Sequence, residues 1–247
     1  MNSKVGAASA LDDSPGLFRM VQAFGRTAGT DELAVAASLL LQAWAVNVTR
    51  PAIAGLVGAR RVTDFGADNT ELLFDADGRP AGASPMTPRY AALVGDEKAA
   101  TDPWAEIVDD HGALFAWARA RLFDGHLATL VDTLCDIAPV GRRLLWGNVA
   151  AATAGAFAAL AAAELPSADR AAQMLRDARR LMHEPGSPIE GLAEVFPVDH
   201  DGGVRLFVRR QTCCLRYRLP DAPLTCLSCR LMPEAERRRR ITLKLAS

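Results

Sequence analysis

The sequence predicts a mainly α-helical protein with a smaller β component, which is the α+β class. Three observations predict this class. Apolar residues recur at helical spacing over most of the chain, the spacing changes to that of strands near residue 194, and a group of cysteines follows. We therefore predict a helical body over residues 1–193. A C-terminal segment, residues 194–247, should hold a hairpin and a cysteine-bearing loop.

The N-terminal part of the chain predicts a leader followed by two helices. Residues 1–15 have the composition of a loose leader, with no visible export signal. Apolar residues at helical spacing over residues 17–24 predict the first helix. The second is expected to open at Thr30 and to end before Pro51, because a helix interior tolerates proline poorly. Residues 51–66 are ambiguous between helix and strand.

The middle of the chain predicts a strand with a turn and then a series of helices. The stretch NTELLFDADGRPAG reads as a strand and turn centred on Asp77-Gly78, with residues 89–94 as its partner or neighbour. From Asp102 onward the pattern is helical. The predicted helices cover residues 103–123, 126–137, 139–165 and 167–182, the last with Ser167 as its N-cap.

The change of period near residue 194 predicts a β-hairpin. Residues 194–198 and 204–209 have strand patterns, and the connecting sequence Asp-His-Asp-Gly-Gly is a turn signal. The cysteine segment follows directly, so the hairpin is expected to give its loop a rigid support.

One uncharged segment, residues 144–163, has the length of a membrane span. Alanine and glycine fill much of it, and alanine favours membrane insertion far less than leucine or phenylalanine does. We interpret it as a buried core helix. The expected location of the protein is therefore the cytoplasm, with at most peripheral membrane association through the basic run at residues 237–240.

The charge balance argues against a nucleic-acid-binding protein. The net charge is −1 and the isoelectric point is near 6.4, whereas proteins of that class usually carry a basic excess. The sequence also lacks a phosphate-binding loop, a dinucleotide-binding glycine motif and a nucleophile elbow. The sequence therefore shows no site for NAD(P)H or a flavin.

Four of the five cysteines lie close together in the segment RRQTCCLRYRLPDAPLTCLSCRL. Cys213 and Cys214 are adjacent, eleven residues follow, and Cys226 and Cys229 are separated by two. Thiolates select Fe–S clusters, zinc or cuprous ions over hard cations. Structural zinc usually uses two spaced pairs, and a vicinal disulfide is disfavoured by its geometry. Spacing alone therefore favours a [2Fe–2S] cluster and leaves structural zinc and thiol redox chemistry open.

The same segment resembles the C-terminal signature of the FhuF-type siderophore ferric-iron reductases. In that family two adjacent cysteines and a closing CxxC bind a [2Fe–2S] cluster. The arginines before the first pair and the stretch RYRLPD after it are similar to the family, and so, less specifically, is GRRLLWGNVA at residues 141–150. One departure is the spacer, which has eleven residues here and ten in the family. The extra residue is expected in the turn at residues 220–225.

The resemblance implies a ligand set, an activity and partners. It implies that Cys213, Cys214, Cys226 and Cys229 are the four cluster ligands, with no further catalytic residue. It implies single-electron reduction of ferric iron held in a siderophore, of the hydroxamate type by family preference. An external ferredoxin or flavin reductase would supply the electrons. The alternative from another class is a non-catalytic zinc- or cluster-binding protein with a structural or redox-sensing role.

Arginines crowd the cysteines in sequence and are candidates for tuning a cluster, docking an acidic donor or holding a siderophore. They are Arg209, Arg210, Arg216, Arg218 and Arg230. The run at residues 237–240 instead predicts a short surface helix, because it forms i,i+4 pairs with Glu234 and Glu236.

The remaining candidates have structural interpretations. Cys135 is expected to be a small buried hydrophobe on a helix face. Trp146 and Asn148 are interpreted as core packing and a polar contact within a helix, with a substrate role as the minority alternative. The four histidines, His111, His126, His183 and His200, show no paired metal-ligand spacing.

Overall fold

The structure is a computed structural model that describes residues 3–7, 13–164, 166–200, 203–220, 222 and 226–246, with the backbone alone for residues 3–7. It is mainly helical, with short strands in small sheets, which confirms the predicted α+β class. The described helices are α1 (Ser14–Ala28), α2 (Leu33–Ala59), α3 (His111–Arg119), α4 (Ala128–Ile137), α5 (Arg142–Glu164), α6 (Ala168–Met182) and α7 (Glu234–Leu245).

The described strands form three sheets. The strands are β1 (Ser3–Ala7), β2 (Arg61–Thr63), β3 (Thr70–Phe74), β4 (Pro80–Pro85), β5 (Tyr90–Leu93), β6 (Ala105–Val108), β7 (Ala193–His200) and β8 (Gly203–Arg210). One sheet has the order β1-β3-β4, a second has β2-β5-β6, and β7 and β8 form a two-stranded hairpin.

The core is built around α2 and α5, which pack on each other more extensively than any other pair of helices. Trp44 on α2 and Phe157 on α5 are almost fully buried. The alanine-rich stretch predicted as a core helix lies in α5, where Ala150, Ala154 and Ala161 have no exposed surface. Such small side chains leave room for neighbouring elements to approach closely. The hairpin packs on α5, and the cysteine-bearing segment follows the hairpin directly, so the core helix supports this part of the chain.

The prediction that the second helix ends before Pro51 is wrong. Helix α2 continues through Pro51 to Ala59, and the formerly ambiguous residues form the end of this helix and strand β2. A proline in a helix interior costs about 3 kcal/mol. Burial of Ile53, Leu56 and Val57 after it, at about 1.5–3 kcal/mol for each fully buried side chain, outweighs that cost.

The helix predicted over residues 103–123 begins later than expected. Residues Ala105–Val108 form strand β6, parallel to β5, and α3 starts only at His111. The carboxylate of Asp110 caps that helix by accepting a hydrogen bond from the N–H of Ala113 at 2.8 Å. A π-helical stretch, Ala120–Leu127, then joins α3 to α4. The helices predicted separately over residues 103–123 and 126–137 are therefore parts of one continuous helical segment.

Two predictions about strand partners are also corrected. Residues 3–7 of the supposed leader form β1, which pairs antiparallel with β3, and residues 8–12 lie outside the described residues. The predicted strand and turn are confirmed as β3 and β4. Strand β5, however, pairs with β2 and β6 in a different sheet. Sequence periodicity identifies a strand but does not choose its partner, which is set by contacts between distant residues.

Several predicted elements are confirmed. Helix α6 begins after Ser167, whose Oγ accepts a hydrogen bond from the N–H of Arg170, and the hairpin of β7 and β8 forms as expected. Asp201 and Gly202 of its turn lie outside the described residues. Helices α2 and α5 are both long and apolar enough to span a membrane, yet most of the apolar window of each is buried in this fold.

Candidate metal centre

The two cysteine pairs lie on adjoining backbone segments. Cys213 and Cys214 follow the end of β8, and Cys226 and Cys229 lie in a turn that precedes α7. Two hydrogen bonds connect the segments. The N–H of Arg210 donates to the carbonyl of Ser228 at 3.0 Å, and Nη1 of Arg230 donates to the carbonyl of Gln211 at 3.0 Å. Pairs that are eleven residues apart in sequence are thus held next to each other.

Arg216–Arg218 form a short 3₁₀ turn after the first pair. Within the predicted turn at residues 220–225, residues 221 and 223–225 lie outside the described residues, so the position of the extra spacer residue stays a prediction.

A left-handed residue shapes the backbone directly after the adjacent pair. Leu215 has a φ of 63°, which is uncommon for a residue other than glycine and often marks a functional turn. Its N–H donates to Sγ of Cys213 at 3.4 Å. The carbonyl of Cys214 accepts a hydrogen bond from Oγ of Ser38 at 2.8 Å. The first pair is therefore fixed both by its own turn and by helix α2.

The second pair lies in a tight turn. The N–H of Cys229 donates to the carbonyl of Cys226 at 2.9 Å, and the N–H of Met232 donates to the carbonyl of Cys229 at 3.2 Å. Sγ of Cys226 lies 3.5 Å from the hydroxyl of Ser228. Cys229 is buried, whereas Cys226 is partly exposed. The turn thus buries one thiol and leaves the other accessible from outside.

Arg237 braces this turn from helix α7. Its guanidinium donates to the carbonyls of Leu227, Cys229 and Met232 at 2.8, 2.9 and 3.3 Å. The residue is only 3 % exposed. The prediction that residues 237–240 form a mere surface helix is therefore wrong for Arg237. It holds for Arg238 and Arg240, which pair with Glu234 and Glu236 at i,i+4.

A buried polar network ties the first pair to the core. Nδ2 of Asn148 donates to the backbone carbonyl of Ser38 and contacts its hydroxyl, both at 2.8 Å. Oδ1 of Asn148 accepts from Arg210, which also donates to Gln42 at 3.3 Å. The predicted contact of Asn148 within its own helix is thus wrong, because the side chain joins α5 to α2 and β8. Trp146 is 6 % exposed, as expected for core packing.

Close packing of α5 against the start of the cysteine segment requires a glycine. A Cβ added at Gly147 would lie 1.8 Å from Oγ1 of Thr212, the residue before the first cysteine. Oγ1 of Thr212 and Nε of Arg210 are both buried without a hydrogen-bond partner in the described part of the chain. Unsatisfied polar atoms are rare in protein interiors, so their position beside the cysteine pair marks this region as a candidate site.

The thiols themselves form a suitable donor set for a cluster. All five cysteines have free thiols, so the adjacent pair forms no disulfide. Burial raises the pKa of the Cys229 thiol, and the charges of Cys226, Cys213 and Cys214 raise that pKa further. Cys229 is therefore close enough to the other three cysteines to feel their charge.

The described side chains contain no group of three or more His, Cys, Asp or Glu residues that could hold one metal ion. A [2Fe–2S] cluster divides four thiolates between two irons. Four soft donors on two connected segments fit that requirement in chemistry and in number.

The five arginines predicted near the site have different environments. Arg209 pairs with Glu194 and Arg218 pairs with Glu32, so the charges of both are largely neutralised. Arg210 is buried in the polar network. Arg216 is exposed, and Arg230 is an exposed residue that donates to a carbonyl. Arg210, Arg216 and Arg230 thus have no carboxylate partner among the residues that the structure describes, and Arg210 lies in the interior.

Cys135 and His126, which the sequence analysis also considered, belong to the core. Cys135 is half-buried against the core rather than fully buried. His126 is buried, with Nε2 accepting from Nε1 of Trp44 at 3.0 Å and Nδ1 lying 2.7 Å from the carbonyl of Phe65. It is a core histidine rather than a metal ligand.

Sequence reasoning missed the residues that support the site. They are Ser38, Gln42, Gly147, Thr212 and Arg237. The similarity of residues 141–150 to the family was a signal for Gly147, although it assigned that residue no role. Nothing in the sequence singled out Ser38 or Gln42, because α2 contains other polar residues and a polar side chain in a helix does not by itself reveal its partner.

Comparison with known proteins gives one positive result. A family model described as "Ferric iron reductase FhuF-like transporter" matches residues 38–238, which include the four clustered cysteines and all five of these supporting residues. No curated protein matches the chain.

Proposed function

Because the chain belongs to the FhuF-like ferric iron reductase family, we propose that it reduces ferric iron held in a siderophore and releases ferrous iron. The observation that carries the proposal is the meeting of two cysteine pairs on hydrogen-bonded segments, inside the region that the family model matches. The net reaction takes one electron from an external donor and gives it to one ferric ion.

The proposed cofactor is a [2Fe–2S] cluster held by Cys213, Cys214, Cys226 and Cys229. Such a cluster supplies one-electron chemistry when it is bound. The N–H of Leu215 already donates to Sγ of Cys213, and hydrogen bonds to ligand sulfur atoms are one way in which proteins raise a reduction potential. The uncompensated charge of Arg210 acts in the same direction, because a positive charge favours the more negative reduced state.

Reduction explains how the iron would leave its carrier. Hydroxamate and catecholate oxygens are hard donors that hold ferric iron tightly, whereas ferrous iron is a softer ion that they hold less well. The chain therefore needs no acid, base or nucleophile for the reaction. Its contribution is to keep the redox centre and the carrier close together.

The surface around the cysteine segments suits an acidic electron donor. Tyr217 and Leu231 are exposed, and each follows an exposed cation in the sequence, Arg216 and Arg230 respectively. A mixed apolar and basic surface is typical of weak, electrostatically steered encounters. We propose a ferredoxin or a flavin reductase as the donor and the cytoplasm as the location.

The test is a single-turnover experiment under anaerobic conditions. The pre-reduced protein is mixed with a ferric siderophore and a ferrous-specific chelator, and both the protein spectrum and the trapped ferrous iron are followed. We expect about one ferrous ion per electron stored. A protein that stays reduced for many minutes while the iron remains ferric would contradict the proposal and favour a sensing role.

A further inference from the structure

A cleft of about 640 Å³ opens beside Cys226, one of the two partly exposed cysteines of the site. One wall is the turn from Cys226 to Ser228, and the opposite wall comes from the exposed end of α5. Pockets of roughly 300–1,000 Å³ are typical of small-molecule sites. Cys226 is the only proposed ligand that lines the cleft among the residues that the structure describes.

Most of the cleft lining is apolar. The apolar lining includes Leu206 and Val208, which lie on one face of β8, and Ala158 and Ala162 of α5. A surface of this kind binds the carbon framework of an organic ligand, since each apolar contact removes area from water.

The charge of the cleft is positive. Arg205 lines it and donates to the carbonyl of Ala162 at 2.8 Å, a contact that orients the guanidinium without neutralising its charge. His200 and Lys244 line the cleft as well, and each has an interaction partner of its own. The lining residues described by the structure contain no aspartate or glutamate. A concave site with one sign of charge attracts ligands of the opposite sign.

We propose that this cleft is the docking site of the ferric carrier and that it selects anionic carrier complexes over cationic ones. The inference rests on the proposed function and extends it to the location and charge of the substrate. The carrier's ferric ion gains one electron and becomes ferrous, the reduced protein loses that electron, and the external one-electron donor restores it. The apolar lining holds the organic framework, and Arg205 sets the charge preference.

The test is equilibrium binding of redox-inert gallium(III) complexes to the cluster-containing protein by titration calorimetry. Three linear trihydroxamates that differ only at their terminal amine provide the charge series. The free amine gives a +1 complex, the acetylated amine a neutral complex and the succinylated amine a −1 complex. We expect the −1 complex to bind about three- to tenfold more tightly than the +1 complex at low salt, and the difference to shrink at high salt.

Two variants and two controls locate the effect. Ala159→Trp fills the cleft from an exposed position and should weaken binding of every complex at least tenfold. Ala163→Trp, also exposed on α5 but outside the lining, should leave binding unchanged. Arg205→Gln should remove the charge preference. Arg143→Gln, at the exposed start of α5 and roughly 22 Å along the helix from Ala158, should preserve it.

The outcomes separate this inference from the proposed function. If the wild-type protein does not bind the gallium complexes, or if Ala159→Trp binds them as the wild type does, the docking site is overturned. If the Arg205→Gln protein still prefers the −1 complex over the +1 complex, the role of Arg205 in selecting anionic carriers is overturned. If Ala159→Trp slows only reduction by the external donor, the cleft serves the donor and the inference fails. Binding that behaves as expected, together with no reduction of the matching iron complexes, overturns the proposed function alone.

Discussion

Thr212 lies directly against the backbone of Gly147, so closely that a Cβ on the glycine would be 1.8 Å from the threonine Oγ1. The contact places the residue before the first cysteine on the middle of a buried core helix. The site is therefore built on the core and not only on a surface loop. Changes deep in α5 are expected to affect metal retention without touching a ligand.

The first prediction concerns this contact. Gly147→Ala should destabilise the protein by about 1–3 kcal/mol, the usual cost of overpacking a core, and should lower its iron content. The double variant Gly147→Ala/Thr212→Gly should recover much of both losses, because it removes the clashing side chain. Urea denaturation and iron analysis are the measurements.

Gly155→Ala is the matched control for that prediction. Gly155 lies in the same helix, and nothing lies within 4 Å of a Cβ added there. The substitution should be neutral or stabilising by about 0.5–1 kcal/mol, since alanine favours the helix. Equal losses of stability and iron in Gly147→Ala and Gly155→Ala would refute the role of the contact.

The second prediction concerns the buried amide of Asn148. Asn148→Ala removes two contacts to Ser38 and leaves the buried guanidinium of Arg210 with an unfilled donor. We expect a loss of about 2–3 kcal/mol in the free energy of unfolding and a lower iron content. Asn47→Ala is the control, because its amide also makes two hydrogen bonds but contacts neither cysteine segment. That variant should keep its iron.

The third prediction separates two neighbouring arginines. Arg237→Ala and Arg237→Lys should both loosen the turn that carries Cys226 and Cys229, because one ammonium cannot replace a planar donor to three carbonyls. Faster loss of the visible absorption in the presence of a chelator is the readout. Arg238→Ala should change stability by less than about 0.5 kcal/mol and retain the metal, since its side chain is exposed. Indistinguishable chelation rates in the Arg237 and Arg238 variants would rule out the bracing role.

The fourth prediction is a pH dependence of stability from His126. Burial lowers the pKa of His126, and its neutral ring accepts a hydrogen bond from Trp44. Below pH about 6.5 the unfolded state binds a proton that the folded state does not, so the free energy of unfolding falls as pH decreases. The contribution is at most about 1.4 kcal/mol per pH unit.

Denaturation curves between pH 5.5 and 7.5 test this dependence. His126→Gln should flatten the slope relative to the wild type, whereas His111→Gln, at an exposed helix start, should leave it unchanged. A wild-type slope in the His126→Gln protein would show that other groups cause the pH dependence.

The sequence predicted the features that depend on local pattern. The helix cap at Ser167, the turn at Asp77-Gly78 and the alternating pattern of the hairpin strands each depend only on residues that are close in sequence. Each could therefore be recognised without the structure. The passage of α2 through Pro51 depends on burial of the residues beyond it, which is a property of the tertiary packing. The parallel pairing of Ala105–Val108 with β5 likewise depends on distant contacts.

For the candidate site, the sequence likewise predicted the cysteines, which form a local pattern, but not the residues that support them. Four cysteines with a specific spacing are visible in one short stretch of sequence. Their supports are not, because Ser38 and Asn148 lie 110 residues apart and become partners only when α2 packs on α5. Arg237 was hidden among exposed arginines of the same run, since composition does not distinguish a buried guanidinium from a solvated one.

The most direct test of the account is the iron and acid-labile sulfide content of the anaerobically purified protein, together with that of single cysteine variants. We predict about two irons and two sulfides per chain, with loss of both in Cys226→Ser and Cys229→Ser. Cys135→Ser, which alters the cysteine outside the site, should keep both. A colourless protein with one zinc per chain, or iron that survives in both ligand variants, would contradict the account.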